Sequence, residues 1–243
     1  MTGRTNVALI AGVGDGLGGA VARRFARGGY QTVLVARSAD RLARIAGDIE
    51  AAGGRGIAYV ADLREESAVG KLFDDVEAQI GPIGVAVFNT GANFRASILD
   101  TPADMFEKVW RLGCYAGFLV GREAARHMVP RGQGTILFTG ATASLRGSSQ
   151  FAAFAAAKGG VRQVAQSMAR ELGPQGIHVA SVIVDGMIDS QRVRERFPER
   201  VAQLPEDGML KPSDIAEVYW QLAHQPRSAW TFEVDLRPWA EKF

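Results

Sequence analysis

Short apolar runs alternate with longer amphipathic segments along the chain, and this alternation restricts the fold more than any other feature of the sequence. Continuous apolar runs of this length are typical of strands that are covered on both faces. They predict seven strands, at residues 7–11, 32–36, 56–60, 85–89, 135–139, 178–184 and 232–236. The helical periodicity between these runs predicts helices at residues 17–27, 39–52, 65–80, 102–128, 151–172 and 213–225.

The regular alternation favours one architecture, an α/β domain with a doubly wound parallel sheet of about seven strands and helices on both faces. No linker, repeat or low-complexity tract divides the sequence, so we expect a single domain over residues 1–243. Gly28-Gly29 and Gly53-Gly54 are placed to end helices, and Ser213 is placed to cap the N-terminus of the last helix.

Composition excludes several other classes of protein. Hydrophobic residues make up 47% of the chain and charged residues 22%, which is ample material for a packed core. A formal net charge of +2 gives no basic excess for binding nucleic acid. One cysteine and three histidines exclude an internal disulfide and disfavour a metal site. With no signal sequence and no apolar run of about 18 residues, we expect a cytoplasmic protein that does not associate with membranes.

A glycine-rich loop, residues 11–19, follows the first predicted strand and opens the first predicted helix. Glycines in this context let the backbone turn tightly and approach a pyrophosphate at the helix N-terminus, as in Rossmann-type nucleotide-binding domains. A loop with a purely structural role is the alternative. Two registers fit, Gly14-x-Gly16-x-x-Gly19 and Gly12-x-x-x-Gly16-x-Gly18.

The residue after the second predicted strand indicates which nucleotide is bound. An acidic side chain there would hold the ribose 2′-hydroxyl of NAD, whereas an arginine pairs with the 2′-phosphate of NADP. Arg37 occupies this position, so NADP(H) is favoured over NAD(H).

Residues 186–211 interrupt the alternation with a highly charged stretch that follows the sixth predicted strand. Open α/β sheets bind ligands beyond the carboxyl ends of their strands, so this segment is a candidate lid over a substrate. A solvated surface helix is the alternative.

Three motifs in this order resemble those of the short-chain dehydrogenase/reductase family, and the likeness runs from residue 5 to about residue 238. The family's Thr-Gly-x-x-x-Gly-x-Gly motif appears at residues 11–18, with alanine in place of threonine. Asp62, in the sequence Val-Ala-Asp-Leu, matches the aspartate that contacts adenine. The Asn-Asn-Ala-Gly motif appears in part at residues 89–92, as Asn-Thr-Gly-Ala.

The resemblance implies hydride transfer with a nicotinamide cofactor and no metal. The residues that it assigns to the cofactor are Gly12, Gly14, Asp15, Gly16, Leu17, Gly18, Arg37, Asp62, Leu63, Asn89, Gly91, Lys158, Asp185 and Gly186. It also implies an unidentified small-molecule substrate or ligand and assembly into a homodimer or homotetramer. The aromatic-rich residues 230–239 are the expected interface.

The family's catalytic residues are an asparagine, a serine, a tyrosine and a lysine, and only the lysine is retained, as Lys158. Phe154 stands at the tyrosine position and has no proton to donate. Ala141 stands at the serine position. Gly113, or Cys114 with a one-residue slip, stands at the asparagine position.

Two functions therefore remain open. The first is a cofactor-sensing or cofactor-binding protein, a possible pseudoenzyme in which standard Tyr-dependent carbonyl chemistry is disfavoured. The second is an oxidoreductase that uses another proton source or reduces an electrophile, such as an activated alkene or an iminium carbon, that needs less help. Possible substitute donors are Thr142, Ser144, Tyr115 and Asp185. Three interpretations of Asp185 stay open: a backbone contact with the cofactor, a contact with a cationic substrate, or a plain Asp-Gly turn. A scaffold without a nucleotide is the third, least favoured interpretation.

Overall fold

A computed structural model describes residues 6–242. Its strands are β1 (Val7–Ala11), β2 (Gln31–Ala36), β3 (Arg55–Val60), β4 (Ile83–Phe88), β5 (Gly134–Ala141), β6 (Ile177–Val184) and β7 (Glu233–Leu236). Its α-helices are α1 (Leu17–Arg27), α2 (Ala39–Ala51), α3 (Glu66–Gln79), α4 (Ala103–Trp110), α5 (Ala116–Met128), α6 (Ala152–Leu172), α7 (Gln191–Arg196), α8 (Pro198–Ala202) and α9 (Pro212–Ala223).

The seven strands form one all-parallel sheet in the order β3-β2-β1-β4-β5-β6-β7, which confirms the predicted fold class. Hydrophobic cores lie on both faces of this sheet. In β1, Leu9 packs into one core while Ala8 and Ile10 pack into the other. This double burial explains why the strands read as continuous apolar runs rather than as alternating ones.

The order in which strands are added to the sheet reverses at β1. The chain adds β2 and β3 on one side of β1 and then returns to add β4 on its other side. Such a reversal leaves a crevice beyond the carboxyl ends of β1 and β4, and ligands of open α/β sheets bind there. The loops after β1 and β4 therefore form the centre of the candidate site.

The helix predicted at residues 102–128 is interrupted, because a π-helical turn, Arg111–Tyr115, separates α4 from α5. The Thr90 hydroxyl donates to the Leu112 carbonyl oxygen over 2.8 Å and draws that carbonyl toward the loop after β4. A π-turn of this kind is a frequent mark of a functional site.

The prediction that Ser213 caps the last helix is wrong. Lys211 occupies the N-cap position and α9 begins at Pro212, while the Ser213 hydroxyl donates to Asp214. Proline is well suited to the first helical position because its fixed φ is helical and its missing N–H would have no partner there.

Residues 186–211 contain the short helices α7 and α8, and a single parallel bridge joins Ile188 to Leu210. The Arg194 guanidinium forms a bidentate pair with Asp189 inside this segment. Among residues 6–242, no helix has the length and apolar character needed to cross a bilayer.

Candidate active site

The glycine loop turns sharply at Gly12, whose φ of +98° is readily adopted only by glycine. The amides of Gly12 and Val13 both donate to the Val35 carbonyl oxygen, which fixes the loop against the end of β2. A Cβ atom on Gly12 would lie 2.7 Å from the methyl group of Thr90. The loop therefore packs closely against the residues that follow β4.

The N-terminus of α1 has two features that suit an anion. Its N-cap, Gly16, supplies no capping side chain, and the first turn contains no acidic residue. A Cβ on Gly14 or Gly16 would meet nothing within 4 Å, whereas one on Gly18 would overlap the Gly12 carbonyl oxygen. The loop thus has an open outer side and a tightly packed inner side, which fits a pyrophosphate approaching the backbone. Leu17 is buried, so only its main chain can face such a ligand.

Basic side chains surround the open side of the loop near the end of β2. Arg41 and Arg44 of α2 pair with Asp15, with 3.7 Å between the Arg41 Nε atom and the Asp15 carboxylate. Arg37 is exposed and makes no hydrogen bond or ion pair within residues 6–242. Arg44 also lies 3.9 Å from Asp48, so within residues 6–242 Arg37 is the guanidinium of these three that has no carboxylate in direct contact, which suits the 2′-phosphate of NADP.

Asp62 follows β3 and is held by its neighbour Arg64, whose guanidinium and main-chain amide both donate to the carboxylate. These hydrogen bonds lower the pKa of Asp62 to about 2, and the charge of Arg37 acts in the same direction. Leu63 is buried in the core, so its side chain cannot face a nucleotide. Asp62 is therefore ionised and oriented before any ligand binds.

Asn89 joins the ends of β1 and β4. Its amide donates to the Ala11 carbonyl oxygen over 2.8 Å, and its side-chain amide donates to the Gly12 carbonyl oxygen over 3.1 Å. The residue assigned to the cofactor by resemblance thus also supports the glycine loop from behind.

Lys158, on α6, is 5% exposed and has no carboxylate partner among residues 6–242. Its ammonium group donates to the carbonyl oxygens of Thr90 and Thr139, over 3.1 and 2.7 Å. Burial lowers the pKa of Lys158 to about 8, because a charged ammonium is poorly solvated in the interior. The structure therefore places this cation at the carboxyl ends of β4 and β5.

Phe154 lies one helical turn before Lys158 on α6, and both side chains reach Gly91. A Cβ on Gly91 would lie 3.3 Å from the Lys158 Nζ atom and 3.9 Å from the Phe154 ring. The phenyl ring is half-buried and carries no hydrogen-bond donor. At this point the site presents an aromatic edge beside the ammonium group.

Hydroxyl groups near the end of β5 are engaged within the chain. The Ser144 hydroxyl is buried and accepts a hydrogen bond from the Ala141 amide over 3.1 Å. The Thr142 hydroxyl donates to Asp185, which is 5% exposed at the end of β6. Gly186 follows with a φ of +134°, and a Cβ there would lie 2.7 Å from Pro238.

The π-helical turn holds the remaining predicted residues. A Cβ on Gly113 would lie 2.9 Å from the Ala157 side chain of α6. Cys114 is buried, and burial raises the pKa of its thiol, which disfavours nucleophilic chemistry. Tyr115 stacks on Trp110 at a centroid distance of 6.1 Å and lies under the guanidinium of Arg111.

Several contributors to this site could not be picked out from the sequence. Arg64 follows Asp62 by two residues, a spacing that allows a local side-chain pair. Arg41 and Arg44 lie one helical turn apart, which places them on one face of α2. The carbonyl oxygens that hold Lys158 carry no sequence signal, because every residue has one.

Together, the parallel sheet, the strand reversal and the glycine loop define a doubly wound α/β protein of the Rossmann type. The model of the family described as short chain dehydrogenase matches residues 6–201. The chain is 45% identical to a solved short-chain dehydrogenase from Rhodopseudomonas palustris, with a TM-score of 0.84 over 97% of this chain and 100% of that one. The chain belongs to the short-chain dehydrogenase/reductase family.

Two further relatives bear on the cofactor and the chemistry. A metagenomic short-chain oxidoreductase, solved in complex with NADP, is 26% identical, with a TM-score of 0.82 over 98% of each chain. The 3-oxoacyl-[acyl-carrier-protein] reductase MabA of Mycobacterium tuberculosis is 30% identical over 90% of this chain and 86% of its own. Members of the family are NAD(P)-dependent oxidoreductases that typically act on small molecules.

Proposed function

We propose that this protein binds NADP(H) in preference to NAD(H), and that Tyr-dependent carbonyl chemistry is disfavoured at its site. A cofactor-sensing or cofactor-binding role follows. The observation that carries the proposal is the pairing of Phe154 with Lys158: the lysine is buried beside Gly91, and the neighbouring aromatic ring has no hydroxyl.

The nucleotide part of the proposal rests on the loop after β1 and the cations after β2. The N-terminus of α1 would hold the pyrophosphate, Arg37 the 2′-phosphate, and Asp62 the adenine. Lys158 would hold the nicotinamide ribose. A bound nicotinamide nucleotide would supply or accept hydride.

The chemical part of the proposal follows from what the side chains at three positions lack. Losing one hydrogen-bond donor to a developing oxyanion costs about 10²–10³ in rate, and losing a general acid costs about 10²–10⁴. Phe154, Ala141 and Gly113 contribute neither group. The two losses do not add, but either is large enough to suppress reduction of a simple ketone.

A second candidate function is an NADP-dependent oxidoreductase with a proton source other than tyrosine. The hydrogen bond between Thr142 and Asp185 favours it, because a hydroxyl and a carboxylic group in contact can hold a proton at the end of β5. Ser144 is a further candidate, since its oxygen accepts the Ala141 amide and that contact does not use its hydroxyl proton.

Calorimetric titration of the purified protein with NADPH, NADP, NADH and NAD tests the nucleotide part. We expect tight binding of the two phosphorylated nucleotides and weak binding of the other two. If none of the four binds, both candidate functions fail. Equal affinity for NADH and NADPH would remove the role assigned to Arg37.

Oxidation of NADPH in the presence of a simple ketone separates the two candidates. No turnover beyond the rate without ketone supports the binding role. Robust ketone reduction by the wild-type protein would contradict it. Loss of such turnover in Thr142→Val, but not in Ser144→Ala, would instead support the second candidate.

We also infer that the chain forms a homodimer or homotetramer. Trp239, near the end of the chain, is 75% exposed, and exposed aromatic residues are enriched at protein interfaces. Light scattering should give a mass at least twice that of one chain, and Trp239→Ser should lower it. A wild-type monomer would contradict the inference.

A further inference from the structure

Asp185 and Thr142 form a carboxylate–hydroxyl pair that bridges the ends of two neighbouring strands. The register pairs Ala141 of β5 with Val184 of β6, so each member of the pair is the next residue along its strand. Asp185 is 5% exposed, and the Thr142 hydroxyl donates to one of its carboxylate oxygens. A buried carboxylate costs free energy unless hydrogen bonds or opposite charges support it, so the partners of Asp185 decide what it can bind.

The charge of Asp185 is only partly balanced by its neighbours. The closest guanidinium nitrogen, Nη2 of Arg237, lies 3.9 Å from the second carboxylate oxygen. The same nitrogen is in direct contact with the carboxylate of Asp235. One guanidinium thus serves two carboxylates, and this group of three side chains has a net charge of −1.

The other cation at this edge does not neutralise Asp185. Lys158 directs its ammonium group to the carbonyl oxygens of Thr90 and Thr139, and it makes no ion pair among residues 6–242. Thr139 precedes Thr142 by three residues along the edge. The anionic pair and the buried lysine are therefore held by separate sets of partners.

We propose that Asp185 and Thr142 form a subsite for a protonated nitrogen, and that the ligand or substrate of this protein is a cationic imine or its amine rather than a neutral ketone. This inference rests on the proposed NADP(H) site. Phe154, on α6 at the same edge, has no proton to deliver, whereas reduction of a ketone would require one.

The proton balance of the two substrate classes explains the preference. A ketone that gains hydride must also gain a proton at oxygen, and Phe154, Ala141 and Gly113 supply none. A cationic imine that gains hydride from a reduced nicotinamide nucleotide forms one C–H bond and returns the C=N π electrons to nitrogen. The product is a neutral amine, and no proton comes from the protein. Such a substrate needs a counter-ion, which the carboxylate of Asp185 provides.

Binding of a non-reducible cation tests the subsite without turnover. The probe is piperidine, which is protonated at pH 7.5, and its neutral isostere tetrahydropyran is the control ligand. We expect the NADPH-loaded protein to bind piperidine at least tenfold more tightly than tetrahydropyran, as measured by calorimetry. Equal affinities would overturn the proposal, and this comparison uses the wild-type protein alone.

Two matched variants then locate the charge. Asp185→Asn, titrated at saturating NADPH, should weaken piperidine binding at least tenfold. Asp104→Asn removes the same charge from the exposed face of α4 and should leave piperidine binding unchanged. Unchanged piperidine binding in Asp185→Asn would assign the cation to another site and overturn the proposal.

Two reducible compounds, a cationic imine and a ketone, extend the test to the substrate class. Protonated 3,4-dihydroisoquinoline should accelerate NADPH oxidation at least tenfold more than the ketone α-tetralone, and Asp185→Asn should abolish the difference. The nucleotide titration distinguishes failure of the proposed function from failure of the cation subsite. If NADPH does not bind, the proposed function fails. Titration of the nucleotide-free protein with piperidine still tests the subsite.

Discussion

The two halves of the ligand-binding edge differ in how their polar groups are used. Around β1 to β3, groups that would meet a nucleotide lack side-chain partners. The N-terminus of α1 has no side-chain cap, and Arg37 makes no hydrogen bond or ion pair within residues 6–242. Around β4 to β6, the polar groups are bound to one another, as in the pairs of Thr142 with Asp185 and of Ser144 with the Ala141 amide. The contrast shows that polar groups at one end of the edge are available to a ligand, whereas many of those at the other end are occupied by partners within the chain.

The largest effect at the β1 to β3 end of the ligand-binding edge should come from filling the inner side of the glycine loop. Gly18→Ala places a methyl group on the Gly12 carbonyl oxygen, so we expect a loss of about 3 kcal/mol in stability and loss of NADPH binding. Thermal unfolding and calorimetry measure the two effects. Gly16→Ala is the control, because its methyl group enters open space: its melting temperature should stay within about 2 °C while NADPH affinity falls. Equal destabilisation by both substitutions would contradict the two-sided loop.

The titration of Lys158 tests the β4 to β6 end of the ligand-binding edge. Its pKa is about 8 in the folded protein against an ordinary value of 10.5, so between these values the unfolded chain binds more protons. The free energy of unfolding attributable to Lys158 should therefore rise with pH from about 8 to 10.5, by about 3 kcal/mol, and be constant below that range.

Denaturant unfolding of the wild type and of Lys158→Met across this range isolates the effect, because Tyr59, whose pKa is raised to about 12, contributes equally to both proteins. We expect the difference in the free energy of unfolding between the wild type and Lys158→Met to change with pH over this range. A difference that does not change with pH would show that the ammonium group is better solvated than its burial implies.

Restoring hydroxyl groups at the β4 to β6 end tests whether the missing donors limit ketone reduction. Phe154→Tyr alone should raise ketone reduction less than about tenfold, because the positions of Ala141 and Gly113 still lack donors. Phe154→Tyr combined with Ala141→Ser should gain about 10²-fold, more than the product of the single effects, because both hydroxyls would share one substrate oxygen. NADPH oxidation at saturating ketone measures this. A large gain from Phe154→Tyr alone would mean that the rest of the site is intact.

The smallest effect concerns cofactor preference. Arg37→Ala should weaken NADPH binding about tenfold and leave NADH binding unchanged, because only NADPH carries the 2′-phosphate. Arg55→Ala is the control, since Arg55 is also exposed but lies at the first residue of β3, at the end of the sheet opposite to Arg37. A similar loss in both variants would indicate a general charge effect rather than a specific phosphate contact.

The architecture was predictable because each strand is buried on both faces and each intervening helix has one apolar face. All seven predicted strands are present, and α1 begins and ends at the predicted residues, since the turn at Gly28 and Gly29 has a clear local signal. The π-helical turn between α4 and α5 was not predicted, because the apolar periodicity does not distinguish it from an α-helical turn; within it, the Leu112 carbonyl oxygen accepts a hydrogen bond from Thr90, a residue distant in sequence.

The sequence predicted which residues would lie at this edge of the sheet, but not which partners they would have. Asn89 and Lys158 were assigned to the cofactor, and the structure brings the loops that hold them together around Gly12 and Gly91. The engagement of the Thr142 hydroxyl with Asp185 could not be anticipated, because it depends on the register between β5 and β6. Sequence motifs report which side chains are present, whereas hydrogen bonding decides which of them remain available.

The close approach of Gly113 to Ala157 has an evolutionary consequence. A Cβ at position 113 would lie 2.9 Å from the Ala157 methyl group, and neither group can rotate away. A larger side chain at position 113 therefore fits only if α6 moves or Ala157 becomes smaller, and we expect single substitutions there to be destabilising. The contact thus limits which residues evolution can place in the π-helical turn by one substitution at a time.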